Sequence, residues 1–380
     1  MKIVHVYKDY HPPVRGGIEQ TIERMARWQV AAGHEVTVLV SASGQNANRT
    51  EVVDGVRVVR VAEVARALSS PLCPGFPAAL AAQQADLWHL HSPNPLGEVS
   101  WRWVLPDGAL VITHYCDFTR QRALLPLYGP LVHALFRRAD VLHAISNQAL
   151  ERQESLVWPF RSRFQVVPLG IDSAPLMSLE DSRPGAHALR ERFGDPFILF
   201  VGRLRHYKGL DVLLEAMPSV GARLVIVGDG PMGDSLRTQA KRLGLNGQVH
   251  FAGSVSDEVL HDHLAAAGVG ILPSSGPAEA FGLAMVEYMA AGLPVVSTEL
   301  GTGTSFVNQD GVTGLVVRAG DPAALAEGLG RILPDRAERD RMGQAGRERV
   351  RDHFTTAAMM RGMDALYETA LETSSRRKRA

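Results

Sequence analysis

Cysteine is almost missing from this chain of 380 residues, where only Cys73 and Cys116 occur. Two thiols cannot build a disulfide framework, and their neighbours lack the Cys/His spacing of a zinc site. A reducing compartment is therefore expected. An excess of either charge sign is missing too. Forty Lys+Arg face 40 Asp+Glu, for a formal net charge of +0. That excludes the broad basic field of a nucleic-acid binder, though not a local basic patch. Long apolar runs are also absent. The longest, 123–136, covers 14 residues and is broken by Pro126, Pro130 and His133, short of the ~20 needed to span a bilayer. Residues 1–7 are too polar for a signal peptide and are expected as a strand. The Gly16-Gly17 turn is not the Gly-x-Gly-x-x-Gly dinucleotide fingerprint, and a Walker Gly-Lys-Ser/Thr and Gly-x-Ser-x-Gly do not occur, which leaves no P-loop or nucleophile elbow. Asp-x-Asp is absent as well, and with it the usual carboxylate bridge between a metal and a nucleotide diphosphate.

The residues present are those of a globular protein, 46% apolar and 21% charged. At ~150 residues per domain the length predicts about two to three domains. Two segments read alike. Residues 2–7 form an apolar run, 8–17 a loop with Gly16-Gly17, 18–32 a helical pattern and 35–40 a second strand. Residues 196–202 repeat the plan, with a loop at 203–208, a helix at 209–217 and a strand at 222–227. Further apolar runs follow at 55–61, 87–89, 110–113, 141–145, 165–168, 249–252, 269–272, 294–297 and 314–316. Short strands alternating with helices predict βαβ units on parallel sheets. The expected architecture is α/β, with two Rossmann-like doubly wound domains facing a central cleft. They cover 1–172 and 196–354, joined by a linker at 173–195 rich in Pro, Gly, Ser and Asp. A C-terminal helix with a frayed basic tail takes 355–380. In such folds ligands sit at the carboxyl ends of the strands.

Four loops there carry candidate chemistry. In Pro273–Glu287 a strand runs into a polar loop and a helix opens near Phe281-Gly282, with Glu279 at its mouth and Glu287 two turns inside. Free N–H groups and the dipole at a helix start suit a diphosphate. Gly202–Gly209 sets Arg203 and Lys208 in a loop after a strand, a planar fork and a point charge for phosphate oxygens. Gly16-Gly17-Ile18-Glu19 is a third strand-to-helix turn, and His114 lies just past a strand end. Taken one at a time, each has a plainer explanation: an acid favourable at a helix start, solvated loop cations, a glycine needed to turn, a structural histidine.

Together and in this order, the motifs resemble the retaining glycosyltransferases of family 4, which have the GT-B fold. The resemblance runs from residue 2 to about 320. It includes Val167–Asp172, Val227–Pro231 and Phe251-Ala252-Gly253 besides the loops above. By resemblance, Arg203 and Lys208 hold the donor diphosphate. Ala280, Phe281, Gly282 and Leu283 line it with backbone amides, and Gly16-Gly17 approaches from the other domain. Glu279 binds the donor sugar, Glu287 the ribose, and Gly253, Ser254 and Val255 border the base. His114 lies near the reacting sugar. Glu279, His114, Arg203 and Lys208 are the catalytic candidates. No metal or other cofactor is implied.

Residues 299–308 depart from the Gly-Gly-x-x-Glu turn of many relatives. This version resembles a bacterial subgroup that builds cell-surface polysaccharides, often from GDP-linked mannose or rhamnose. The expected activity is transfer of a hexose, with retention, from a GDP-sugar such as GDP-mannose to a glycan or polyprenyl-linked acceptor. A UDP-sugar transferase, a nucleotide-sugar 2-epimerase and a carbohydrate-binding protein are the alternatives. Arg120, Arg122, Arg137 and Arg138 flank an apolar stretch without an acid, a pattern that suits an anionic membrane surface or, equally, a partly buried helix with solvated ends. The expected location is cytoplasmic, with peripheral attachment to the inner membrane. No nucleic-acid partner is expected.

Overall fold

A computed structural model describes residues 1–67, 70–116, 125–151, 156–180 and 183–379. The chain divides into two compact units, Met1–Gly170 with Thr356–Ala380, and Ile171–Thr355. In the first, the order is β1 (Lys2–Val6), α1 (Gly17–Ala31), β2 (Glu35–Ser41), β3 (Arg49–Val53), β4 (Val56–Val61), β5 (Ala65–Ala67), β6 (Ser70–Leu72), α2 (Phe76–Ala81), β7 (Leu87–Ser92), α3 (Pro95–Val104), β8 (Ala109–His114), α4 (Leu125–Arg138), β9 (Val141–Ala144), α5 (Gln148–Glu151) and β10 (Phe164–Val166). The second holds α6 (Ala174–Met177), α7 (Pro184–Phe193), β11 (Ile198–Val201), α8 (Leu210–Ala216), β12 (Leu224–Val227), α9 (Gly233–Arg242), β13 (Val249–Gly253), α10 (Asp257–Ala266), β14 (Val269–Leu272), α11 (Leu283–Ala290), β15 (Val295–Glu299), α12 (Thr304–Val307), β16 (Gly314–Arg318), α13 (Pro322–Ile332) and α14 (Arg336–His353). The last helix, α15 (Thr356–Arg379), packs on β7, β8, β9 and α1 of the first unit.

The short apolar runs become strands because β-branched and aromatic residues fit a sheet covered on both faces. Strands β1, β7, β8 and β9 are almost wholly buried. The sheet order in the second unit is β13-β12-β11-β14-β15-β16, all parallel. That is the doubly wound order 3-2-1-4-5-6, which changes direction between β11 and β14. The first unit follows the same plan around β1 and β7, in the order β10-β9-β8-β7-β1-β2-β4-β3, with β3 antiparallel at the edge.

Three features differ from the sequence expectation. Residues 173–195 are not a bare connector. Pro175 and Pro184 sit in the first turns of α6 and α7, where the missing N–H costs nothing. Helix α7 packs on α10, tied by Arg183 Nε to Asp262 Oδ1 at 2.7 Å, and α6 meets α11. The basic tail does not fray before Arg379. Ser374 is buried, and Arg377 pairs with Asp140. The edge strand β3 and the hairpin β5–β6, whose exposed polar or short segments carry no apolar run, are additional.

Candidate functional site

The loops after β11 and β14 flank the switch point of the second sheet, and they meet. Ser275 N–H donates to the Tyr207 carbonyl at 2.8 Å. Gly209 makes the approach possible. Its φ is +65°, and an added Cβ would lie 2.0 Å from the Pro273 oxygen, so a side chain is excluded by space and by conformation alike. Lys208 and Glu279 face each other across this junction, Nζ to Oε2 at 2.5 Å, with side chains 12% and 9% exposed. Ser274 Oγ donates to the same carboxylate oxygen at 3.0 Å. Oε1 takes part in no hydrogen bond among the described residues. Burial alone would lower the Lys208 pKa. The charge of Glu279, with smaller help from Tyr207 and Glu287, overcomes that and raises it. Lys208 therefore remains a cation in a site that shuts out most water.

Helix α11 opens one residue later than the sequence suggests. Gly282 is its N-cap, at φ +81°, where a Cβ would meet Met285 Cε at 2.6 Å and Leu272 Cδ2 at 2.9 Å. No side chain caps that end, so the first amides of α11 have no side-chain acceptor. Glu287 lies on α11, half-buried, and its field reaches Lys208. Phe281 is buried edge-on against Phe354 at 5.8 Å, so its ring is core. Ala280 and Leu283 adjoin it, and the Ala280 carbonyl accepts from Gly303 N–H at 2.9 Å. Arg203 occupies the same loop as Lys208 but is exposed and forms no ion pair among the described residues. Gly253, Ser254 and Val255 lie at and beyond the end of β13, with Gly253 level with Val227 of β12, which is level with Val201 of β11. The candidates of this unit thus share the carboxyl edge of one sheet.

Several supporting residues carried no motif. Tyr288 of α11 accepts the Val201 N–H at 2.6 Å and so pins that helix to β11. Thr302 Oγ1 donates to the Glu279 carbonyl at 2.8 Å, and Thr298 to the Ser274 carbonyl. The divergent stretch 299–308 thus braces the Glu279 loop, a role readable only once the strands are neighbours.

In the first unit Gly16 caps α1, and an added Cβ would fall 2.4 Å from Glu19 Oε2. Gly17 is the first helical residue. His114 ends β8 and is 2% exposed, with Nδ1 at 3.4 Å from Ser92 Oγ and its ring edge-on to Phe136. Nearby on α3, Glu98 is buried and its pKa rises to about 7, since burial outweighs the bonds offered by Ser92 and the Asn94 backbone. Of the expected membrane arginines, Arg120 and Arg122 lie outside the described residues. Arg137 is exposed over Phe160. Arg138 is no lone cation: Asp140 is 3.6 Å away, and the guanidinium covers Trp101. No helix among the described residues is long and apolar enough to cross a membrane. One set of side chains among them has metal-ligand spacing, His5, His89 and His91. Their ring nitrogens are hydrogen-bonded to other side chains.

Comparison with known proteins decides the family. Residues 187–349 match the model for glycosyl transferases group 1, and residues 16–170 match the glycosyl transferase 4-like domain. The chain belongs to the group 1 glycosyltransferases. The transferase is 31% identical over 379 residues to O-antigen chain mannosyltransferase C of Escherichia coli, covering 99% of this chain and 100% of that protein. It is 33% identical over 364 residues to D-rhamnosyltransferase WbpZ of Pseudomonas aeruginosa, covering 93% and 92%. Among solved structures it is similar to sucrose-phosphate synthase from Thermosynechococcus elongatus, with a TM-score of 0.79, 23% identity and coverage of 97% and 98%. Anabaena HepE in complex with UDP-glucose gives a TM-score of 0.77 at 19% identity, covering 97% and 100%. The fold of the transferase is GT-B.

Proposed function

We propose that this glycosyltransferase moves a hexose, with retention, from a GDP-sugar such as GDP-mannose to a glycan or polyprenyl-linked acceptor in surface-polysaccharide synthesis. The observation that carries the reading is the Lys208–Glu279 pair at the switch point of the second sheet. Lys208 and the first amides of α11 meet the donor diphosphate, with Arg203 reaching in from the exposed side. As the C1–O bond stretches, negative charge grows on the leaving diphosphate, and these groups hold it more tightly in the transition state than in the ground state. Glu279 keeps Lys208 charged and offers Oε1 to hydroxyls of the donor sugar. Glu287 binds the ribose, and Gly253-Ser254-Val255 border the base. Gly16-Gly17 serves the donor diphosphate, and His114 the reacting sugar.

The names of the two relatives, a mannosyltransferase and a rhamnosyltransferase, support the choice of sugar. The reading needs no metal, so chelation leaves the rate unchanged. Attachment to an anionic membrane surface, on this reading, falls to Arg120, Arg122 and Arg137. A donor screen with hydrolysis as readout tests the proposal. Release of GDP from GDP-mannose supports it, and turnover confined to UDP-sugars, or epimerisation without an acceptor, overturns it.

A further inference from the structure

The first sheet holds a run of buried polar side chains that the transfer reaction does not use. His143 Nε2 lies 2.9 Å from the Val167 carbonyl. A carbonyl only accepts, so Nε2 carries the proton and, in a neutral ring, Nδ1 accepts. Thr113 Oγ1, at 2.8 Å, donates to that Nδ1. Having spent its one proton, Thr113 accepts from His89 Nε2 at 2.6 Å. His89 Nδ1 then accepts from the Tyr367 hydroxyl at 2.8 Å. Tyr367 accepts from Gln29 Nε2 at 3.1 Å, and Gln29 Oε1 accepts from His5 Nε2 at 2.8 Å. His5 Nδ1 accepts from His91 Nε2 at 2.9 Å, and His91 Nδ1 from the Tyr115 hydroxyl at 3.0 Å. One terminal carbonyl thus fixes the direction of eight hydrogen bonds.

We infer that this chain is a latch, seating the C-terminal helix α15 on the first unit through Tyr367 only while His5, His89, His91 and His143 are all neutral. It joins β1, β7, β8 and β9, four neighbouring strands, to α1 and α15. All four rings are fully buried, and Tyr367 is 1% exposed. A proton added to any ring turns an accepting Nδ1 into a donor facing another donor, so a single protonation breaks the whole direction. Burial holds His5 and His143 down to about 4, and His89 and His91 well below 6.5, the other rings adding to the effect at His89 and His91. The acids whose fields reach the chain act on its tyrosines: Glu19 of α1 on Tyr115, and Asp364 of α15 on Tyr367. Tyr7, just past β1, and Cys116, just past β8, are further titratable groups alongside. The run is not a proton wire, because it ends on a carbonyl that cannot pass a proton on. Thr113 and Tyr115 flank His114, so the latch also steadies the backbone that carries that candidate.

Histidine-selective 15N labelling of the full chain tests the latch. At pH 7 the four rings are expected as the Nε2–H tautomer, still neutral at pH 5. Opening of α15, from amide exchange corrected for its intrinsic rate, should rise more than tenfold per pH unit at the acid end of its range, the mark of coupled proton uptake. In Tyr367→Phe at pH 7, opening of α15 should rise on the order of tenfold. An Nδ1–H tautomer in any of the four, titration of any near 6.5, or unchanged exchange in Tyr367→Phe would overturn the inference. So would a shift of the His5, His89 and His91 signals on adding Zn²⁺, which would make the cluster a metal site.

Discussion

In the first unit the side chains linked across β1, β7, β8 and β9 are neutral, buried and partnered along one direction. In the second, the polar groups at the matching edge are a cation and an anion at 2.5 Å, slightly open to solvent. Both sheets are doubly wound, so topology does not account for the contrast. A closed neutral network rigidifies a sheet. A buried ion pair costs desolvation that its mutual attraction only partly offsets, so it is weak evidence for stability; on the proposed function it is charge kept ready for a ligand. One strand plan thus holds buried polarity as a closed neutral network in one unit and, in the other, as an ion pair proposed to bind a ligand.

The contrast breaks most visibly in acid. His5 and His143 are held near 4 against 6.5 for the unfolded ring, so below pH 6.5 the unfolded state takes up protons that the folded one refuses. Stability is full above pH 6.5 and falls as pH drops toward 4, by on the order of 3 kcal/mol for each of these two rings. Denaturant unfolding of the first unit at pH 7 and pH 4.5 checks this, and a flat profile would remove the distinction. The opposite side is sharpened by Lys208→Ala. We expect kcat to fall by ~10²-fold or more, about 3 kcal/mol of transition-state stabilisation, in steady-state kinetics with the donor. Gly209→Ala should cost about 1–3 kcal/mol in chemical denaturation, because it forces a side chain into φ +65° against the Pro273 carbonyl. Arg203→Ala should leave stability within ~0.5 kcal/mol, since the side chain is exposed, yet weaken donor binding measurably. A loss of stability there without a loss of binding would make Arg203 structural.

Much of the second unit was legible from sequence because its candidate site is local. Lys208 and Glu279 each follow an apolar run and open a helix, so strand-loop-helix reading located both loops. Their pairing across the switch point needs only the strand order. The braces were not legible. Thr302 and Tyr288 act through backbone groups far along the chain, at Glu279 and Val201. The latch was less legible still, since its bonds join positions up to 338 residues apart. A trace existed in His89-x-His91, two like side chains on one face of a strand. Residues 173–195 misled for the opposite reason. Their turn-rich composition hid prolines placed where helices begin, and Arg377 found its acid at Asp140, 237 positions away.

The Lys208–Glu279 pair of the second unit is proposed to receive a donor diphosphate. Calorimetric titration of GDP and UDP into the wild-type transferase and Lys208→Ala tests it most directly. GDP should bind more tightly than UDP, and the variant should lose at least tenfold in GDP affinity while remaining folded. Equal GDP affinity in a folded Lys208→Ala protein would contradict it.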